Sequence, residues 1–167
     1  MKKLLTIPAF AAVSAAVLAS VSAIAFEEGP FTADQARSGA ALYAANCAGC
    51  HGARLQGAGE APPLAGASFL AAWSNRSTEE LYNLIKTSMP YGNGNSLDAA
   101  TYRSVVAYVL AFNGAKPGSN AMAGTEKVRV GTIADGKTPA AMAQAPAPAA
   151  TAARSVRPPP IRRAGLD

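Results

Sequence analysis

The chain has 167 residues and a formal net charge of +5, but this charge is unevenly distributed. Residues 26–118 carry six Lys and Arg against seven Asp and Glu, whereas residues 119–167 carry seven against three. The basic segment has no aromatic residue, which excludes the basic patch with interleaved aromatics expected of a nucleic-acid-binding surface. The 93 residues of segment 26–118 suffice for one small domain with a thin core.

The first 25 residues are predicted to be a signal peptide. Lys2 and Lys3 give a positive start, residues 4–24 are uncharged and apolar, and residues 23–25 (Ala-Ile-Ala) form a small-residue cleavage site. An uncleaved anchor is the alternative, because an uncharged run of this length could just span a bilayer. We therefore expect export to the periplasm, with membrane attachment only if the segment is retained.

Hydrophobic periodicity and helix start signals predict a helical domain over residues 26–118. Two capping boxes, Thr32 with Gln35 and Ser77 with Glu80, mark helix starts. The predicted elements are a helix from 32 towards 47, a Gly- and Pro-rich loop over 52–68, a short helix over 68–73, a helix from 77 stopped by Pro90, and a last helix over 98–113. Because no convincing strand is visible, the predicted fold class is all-α.

Residues 47–51 (Cys-Ala-Gly-Cys-His) form the attachment signature of a c-type haem. The thiols of Cys47 and Cys50 can each add to one porphyrin vinyl group, and His51 can then ligate the iron. A thioredoxin-like redox pair needs a preceding strand, and a structural zinc site needs four ligands, whereas the chain has two Cys and one His. A plain structural disulfide remains the alternative.

The spacing of three residues before and within this motif resembles that of class I c-type cytochromes, which carry one haem with His and Met ligands. Gly39, Tyr43 and Cys47 match the family spacing of a glycine, an aromatic residue and the first haem cysteine. The resemblance covers about residues 32–114 and implies the class I cytochrome c fold, with helices wrapped around one covalently attached haem. It also implies that His51 and Met89, followed by Pro90, are the axial iron ligands.

Two further cofactor-binding residues follow from the same resemblance. The family's Pro-x-Leu loop offers a carbonyl to the haem histidine, and residues 62–64 (Pro-Pro-Leu) resemble it, with Pro62 preferred over Pro63. An ordinary proline turn is the simpler interpretation. Trp73 corresponds to a tryptophan that bonds a haem propionate, or it covers only the haem edge.

The resemblance implies an electron carrier and not an enzyme with catalytic residues of its own. Residues 92–107 look most like bacterial cytochromes associated with quinoprotein dehydrogenases. We therefore expect electrons to come from a periplasmic dehydrogenase, suspected to be a quinoprotein acting on alcohols, and to go to another cytochrome or a terminal oxidase. The alternative is a haem enzyme or gas sensor in which the sixth ligand is displaceable.

The composition changes after residue 118. Residues 119–167 are Ala/Pro-rich and basic, which predicts a disordered tail or linker beyond the cytochrome c domain of residues 26–118. Such a segment could tether the domain to a dehydrogenase, although an idle solvated tail is an equally good interpretation.

Overall fold

The computed structural model describes residues 27–144. The predicted signal peptide and residues 145–167 lie outside this range. The helices are α1 (Ala33–Asn46), α2 (Ala48–His51), α3 (Gly66–Trp73), α4 (Thr78–Ser88), α5 (Ala99–Phe112), α6 (Val130–Ile133) and α7 (Ala140–Gln144), and the strands are β1 (Glu28–Gly29) and β2 (Lys116–Pro117). The mainly helical architecture confirms the all-α prediction, since the parallel pair β1–β2 is only two residues long.

The crossing of α1 and α5 forms the centre of the core. Nine consecutive or near-consecutive residues of α5 are buried, so that this helix is surrounded on nearly all sides. Gly39 lies at the contact, where the backbone of Ser104 occupies the space a side chain would need. One turn further along, the rings of Tyr43 and Tyr108 pack with centroids 5.4 Å apart. The glycine thus permits the close approach, and the aromatic pair fills the space beside it.

Both predicted capping sites start helices, but the residue three positions after the cap binds back to it in only one of them. The Ser77 hydroxyl accepts the Glu80 N–H at 3.2 Å, and the Glu80 carboxylate accepts the Ser77 N–H at 2.8 Å. Hydrogen bonds from the Ser77 backbone and side chain, with a further one from Arg76, lower the pKa of Glu80. At α1, Thr32 accepts the Gln35 N–H at 3.2 Å, but the Gln35 amide faces another part of the chain. The full capping box is therefore present only at α4.

Replacing Ser77 with alanine is expected to lower the free energy of unfolding by about 1 kcal/mol, because one N-terminal N–H of α4 loses its acceptor. Ser77→Thr keeps a hydroxyl acceptor and is the matched control, expected to lose less. Chemical denaturation of the three proteins at neutral pH measures both effects. Because the Glu80 pKa is lowered in the fold, its contribution is present above its ordinary value of 4.5 and is lost as the pH falls through the lowered pKa. Equal stability of Ser77→Ala and Ser77→Thr would contradict the cap.

A C-terminal strap, defined as residues 119–136, packs against the helical domain. Its apolar residues Met122, Val130 and Ile133 are at most 2% exposed. Backbone hydrogen bonds join it to the start of α4, from the Thr78 N–H to Val128 O at 2.9 Å and from the Val130 N–H to Arg76 O at 2.9 Å. The strap therefore belongs to the packed domain.

This packing corrects the predicted domain boundary at residue 118 for the first part of the tail. The sequence expectation was a disordered tail or linker from residue 119 onward, and the buried strap differs from it. The composition of residues 119–167 suggested disorder because Ala, Gly and Pro make up much of this segment. The few large apolar residues that anchor the strap to the core are widely spaced along it. Residues 145–167, which contain most of the predicted Ala/Pro linker, lie outside the described range.

Candidate functional site

The predicted haem motif folds as one helical turn. Cys47 caps both α1 and α2, and its carbonyl accepts the N–H groups of Cys50 at 3.1 Å and His51 at 2.9 Å. Cys47 is half-buried and Cys50 is exposed, and their sulfurs are not joined in a disulfide. The turn thus presents two free thiols and an imidazole from five adjacent residues.

The electrostatics of Cys47 do not favour a dithiol redox site. Burial, with a smaller effect from Cys50, raises the pKa of the Cys47 thiol from 9.0 to about 11. Redox-active cysteines have lowered pKa values, because the thiolate is the reacting species. Cys47 therefore lacks the electropositive surroundings of a thioredoxin-like nucleophile.

His51 is held by the loop that follows it. Its side chain is buried, and its Nδ1 lies 2.9 Å from the Pro62 carbonyl oxygen. Because a carbonyl can only accept, Nδ1 carries the proton and donates it, which leaves the Nε2 lone pair available as a ligand. The hydrogen bond expected for Pro62 is thus present, and it is made by Pro62 and not by Pro63. Its role towards a haem stays a prediction.

Tyr43 supports the same turn from α1. Its hydroxyl donates to the Gly52 carbonyl at 2.7 Å, directly after the histidine. Burial, followed by interactions with Cys47 and Tyr108, raises the pKa of Tyr43, so the phenol stays protonated and remains a donor. The sequence indicated only the spacing of Tyr43 from Cys47, because a contact to Gly52 across nine residues leaves no periodic signal.

Met89 ends α4 and packs on the core. Its N–H donates to the Ile85 carbonyl at 3.0 Å, and its half-buried side chain packs against the hydrophobic core, as that of Cys47 does. The structure therefore puts the predicted thioether ligand and the first haem cysteine on one hydrophobic core. Ligation by Met89 stays a prediction.

Trp73 is buried at the end of α3. Its ring stacks on Phe69 with centroids 6.5 Å apart, and the Arg76 guanidinium lies 4.2 Å from the Trp73 ring centroid. Arg76 also forms an ion pair with Glu80 at 3.2 Å. These contacts fix the ring orientation, and both predicted roles of Trp73 towards a haem stay predictions.

The side chains at this site fit a covalently bound haem. The donor set contains two unpaired thiols, a buried imidazole with its Nδ1 already engaged, and a thioether on the same core. Thioether attachment needs the two thiols, and axial coordination needs the free Nε2 and the sulfur. The protein's residues thus supply each group that haem c requires.

Two comparisons with known proteins found similarities. Residues 34–109 match the family model described as cytochrome C oxidase, cbb3-type, subunit III. Among solved structures, the chain is similar to the sulfane dehydrogenase SoxCD from Paracoccus pantotrophus, with 26% identity and a TM-score of 0.38. That similarity covers 51% of this chain and 45% of the SoxCD chain, so it spans less than half of the length of that structure. No curated protein matches the chain.

The family match and the donor set support a c-type cytochrome domain in this part of the chain. A cytochrome c domain implies covalently bound haem c, haem-based electron transfer and redox partners. Within residues 27–144, no helix has the length and apolar character needed to cross a membrane.

Proposed function

We propose that the protein is an exported, periplasmic one-electron carrier of the class I, monohaem type. The positive start, the uncharged apolar run and the small-residue site of residues 1–25 support export. Export also suits covalent haem attachment, which takes place outside the bacterial cytoplasm in the family that the chain resembles.

Haem c, when bound, supplies reversible one-electron chemistry. Cys47 and Cys50 would hold it covalently, and the His51 Nε2 and the Met89 sulfur would ligate its iron. With both of these ligands supplied by the chain, water and small ligands would be kept off the iron. The soft thioether and the apolar surroundings would raise the reduction potential of the haem.

One observation carries this proposal: the hydrogen bond between His51 Nδ1 and Pro62 O at 2.9 Å. It orients the buried imidazole of the residue that follows the second thiol. The bond uses Nδ1, so Nε2 remains the nitrogen that can bind the iron. A structural disulfide needs no oriented histidine. The geometry around His51 therefore favours haem attachment over a purely structural use of the cysteines.

The proposed electron donor is a quinoprotein dehydrogenase that acts on alcohols. Support comes from residues 92–107, whose Gly-Asn turn and tyrosine-bearing helix resemble cytochromes that serve such enzymes. A reduced quinone cofactor releases two electrons, so two molecules of the oxidised carrier accept one electron each. Each reduced carrier then passes its electron to another cytochrome or a terminal oxidase.

Stopped-flow mixing tests this partner. Oxidised holoprotein is mixed with a quinoprotein alcohol dehydrogenase and its alcohol, and haem reduction is followed by absorbance. We expect two equivalents of reduced carrier for each equivalent of alcohol oxidised. An NAD-dependent alcohol dehydrogenase with the same alcohol is the control and should give no reduction. If quinoproteins fail while dithionite reduces the haem, the carrier function survives and the quinoprotein partner is wrong.

A haem enzyme or gas sensor is the second candidate, and the exposure near Met89 favours it. Met89 is only half-buried, and Gly92, Asn93 and Asn95 just beyond it are exposed. Displacement of the sulfur would open the iron to small ligands. Carbon monoxide binding to the reduced wild-type protein at stoichiometric concentration would support this candidate, whereas resistance to excess carbon monoxide supports the carrier.

A further inference from the structure

A single buried hydroxyl joins both ends of the segment that carries Met89. Tyr102 lies near the start of α5 and is 1% exposed. Its hydroxyl donates to the Met89 carbonyl at 2.8 Å and accepts the Leu97 N–H at 3.3 Å. The phenol is thus used as both donor and acceptor, and it contacts the first and last residues of segment 89–97.

The other hydrogen bonds of segment 89–97 lead back to itself or to α4. The Asn95 N–H donates to the Lys86 carbonyl at 2.7 Å, and the Asn93 N–H donates to the Pro90 carbonyl at 2.7 Å. These contacts shape the turn and join it only to itself and to the end of α4. Tyr102 belongs to α5, the helix that crosses α1 beside the Cys47 turn. Its hydroxyl therefore connects the Met89 backbone to the part of the core that holds the haem motif.

We propose that Tyr102 is a positioning residue that keeps the Met89 sulfur on the iron through its hydrogen bond to the Met89 carbonyl. This inference rests on the proposed ligation by Met89. A thioether is a weak ligand, so its hold on the iron depends on how far the backbone restricts its movement. When the hydroxyl is removed, the segment gains freedom, and states with a displaced sulfur become more populated. An added ligand that binds only those states then binds more tightly.

The test is an imidazole titration of the oxidised holoprotein, with Tyr102→Phe as the variant. This substitution removes one oxygen and keeps the buried ring. Loss of the far-red absorption band of sulfur-ligated ferric haem reports displacement. We expect Tyr102→Phe to bind imidazole about tenfold more tightly than the wild type, because the hydrogen bond to the Met89 carbonyl is lost.

Two control variants separate positioning from general stability. Tyr108→Phe removes a hydroxyl from the same helix without breaking a hydrogen bond to segment 89–97. Ser77→Ala weakens α4 at the end remote from Met89. Both should keep the wild-type imidazole affinity, even where the free energy of unfolding falls.

The outcomes distinguish the inference from the proposed function. If the wild-type protein lacks the sulfur-ligation band, Met89 is not the ligand and the proposed ligation fails. If the band is present and Tyr102→Phe binds imidazole as the wild type does, the positioning role is wrong. A similar gain in affinity in Ser77→Ala would also overturn it, because general destabilisation would then explain the effect.

Discussion

Replacing Gly39 with alanine is expected to lower the free energy of unfolding by about 3 kcal/mol, net of the roughly 1 kcal/mol by which alanine favours a helix. A Cβ at this position would overlap the Ser104 carbonyl oxygen and lie 2.6 Å from its carbonyl carbon and 2.8 Å from Tyr108 Cβ. Two of these atoms belong to the backbone of α5, so no rotamer change can relieve the overlap. The two helices must separate, and the apolar contacts of their crossing weaken.

Thermal and chemical unfolding of the holoprotein measure this effect, with a drop in Tm of about 10–20 °C. Gly49→Ala is the matched control, because a Cβ there meets no atom within 4 Å and the residue lies in helical backbone. It should be neutral or slightly stabilising. Ser104→Ala should not rescue Gly39→Ala, since the clash involves backbone atoms. A Gly39→Ala protein as stable as Gly49→Ala would show that the crossing is looser than the structure indicates.

Local signals in the sequence predicted the elements near the site well. Thr32 and Ser77 each cap a helix because the partner N–H lies three residues away, and this spacing is visible in the chain. The turn of residues 47–51 is likewise a local motif. The helical fold class followed from periodicity and is confirmed. Such features depend on neighbours in sequence, which a single chain displays directly.

Long-range polar contacts were not predictable in this way. The Gln35 side chain exchanges two hydrogen bonds with the Met122 backbone, at 3.2 and 2.8 Å, across 87 residues. The sequence suggested a reciprocal capping role for Gln35, and the amide instead binds the strap. The hydroxyl contact of Tyr102 to Met89 likewise leaves no signal in the sequence, because only burial of the ring follows the helical periodicity. These contacts depend on how the elements assemble.

Asn113 is the clearest example of a structurally important residue that the hydrophobic pattern of the sequence did not reveal. It ends α5, and its side chain is fully buried. Full burial is rare for asparagine, and the buried amide needs hydrogen-bond partners. The amide nitrogen donates to Leu64 O at 2.9 Å and to Val109 O at 2.8 Å, and the amide oxygen accepts the Gly66 N–H at 2.9 Å. Asn113 therefore ties the end of α5 to the loop that carries Pro62.

Replacing Asn113 with alanine is expected to lower the free energy of unfolding by about 3 kcal/mol, since three hydrogen bonds are lost and polar backbone groups near the core lose their partners. Chemical denaturation of the holoprotein measures the loss. The Pro62 carbonyl belongs to the same loop as Leu64, so its hold on His51 should loosen as well. A less firmly oriented His51 should also shift the reduction potential of the holoprotein.

Asn46→Ala is the control for this prediction. The Asn46 amide donates only to Leu42 O at 2.8 Å, one helical turn away. Asn46→Ala should lower the free energy of unfolding by about 1 kcal/mol at most, because the Leu42 carbonyl stays within the hydrogen-bonded backbone of α1. If Asn113→Ala costs no more than Asn46→Ala, the amide does not fasten the loop to α5. If Asn113→Ala is strongly destabilised but its potential is unchanged, Asn113 stabilises the fold without influencing how Pro62 orients His51.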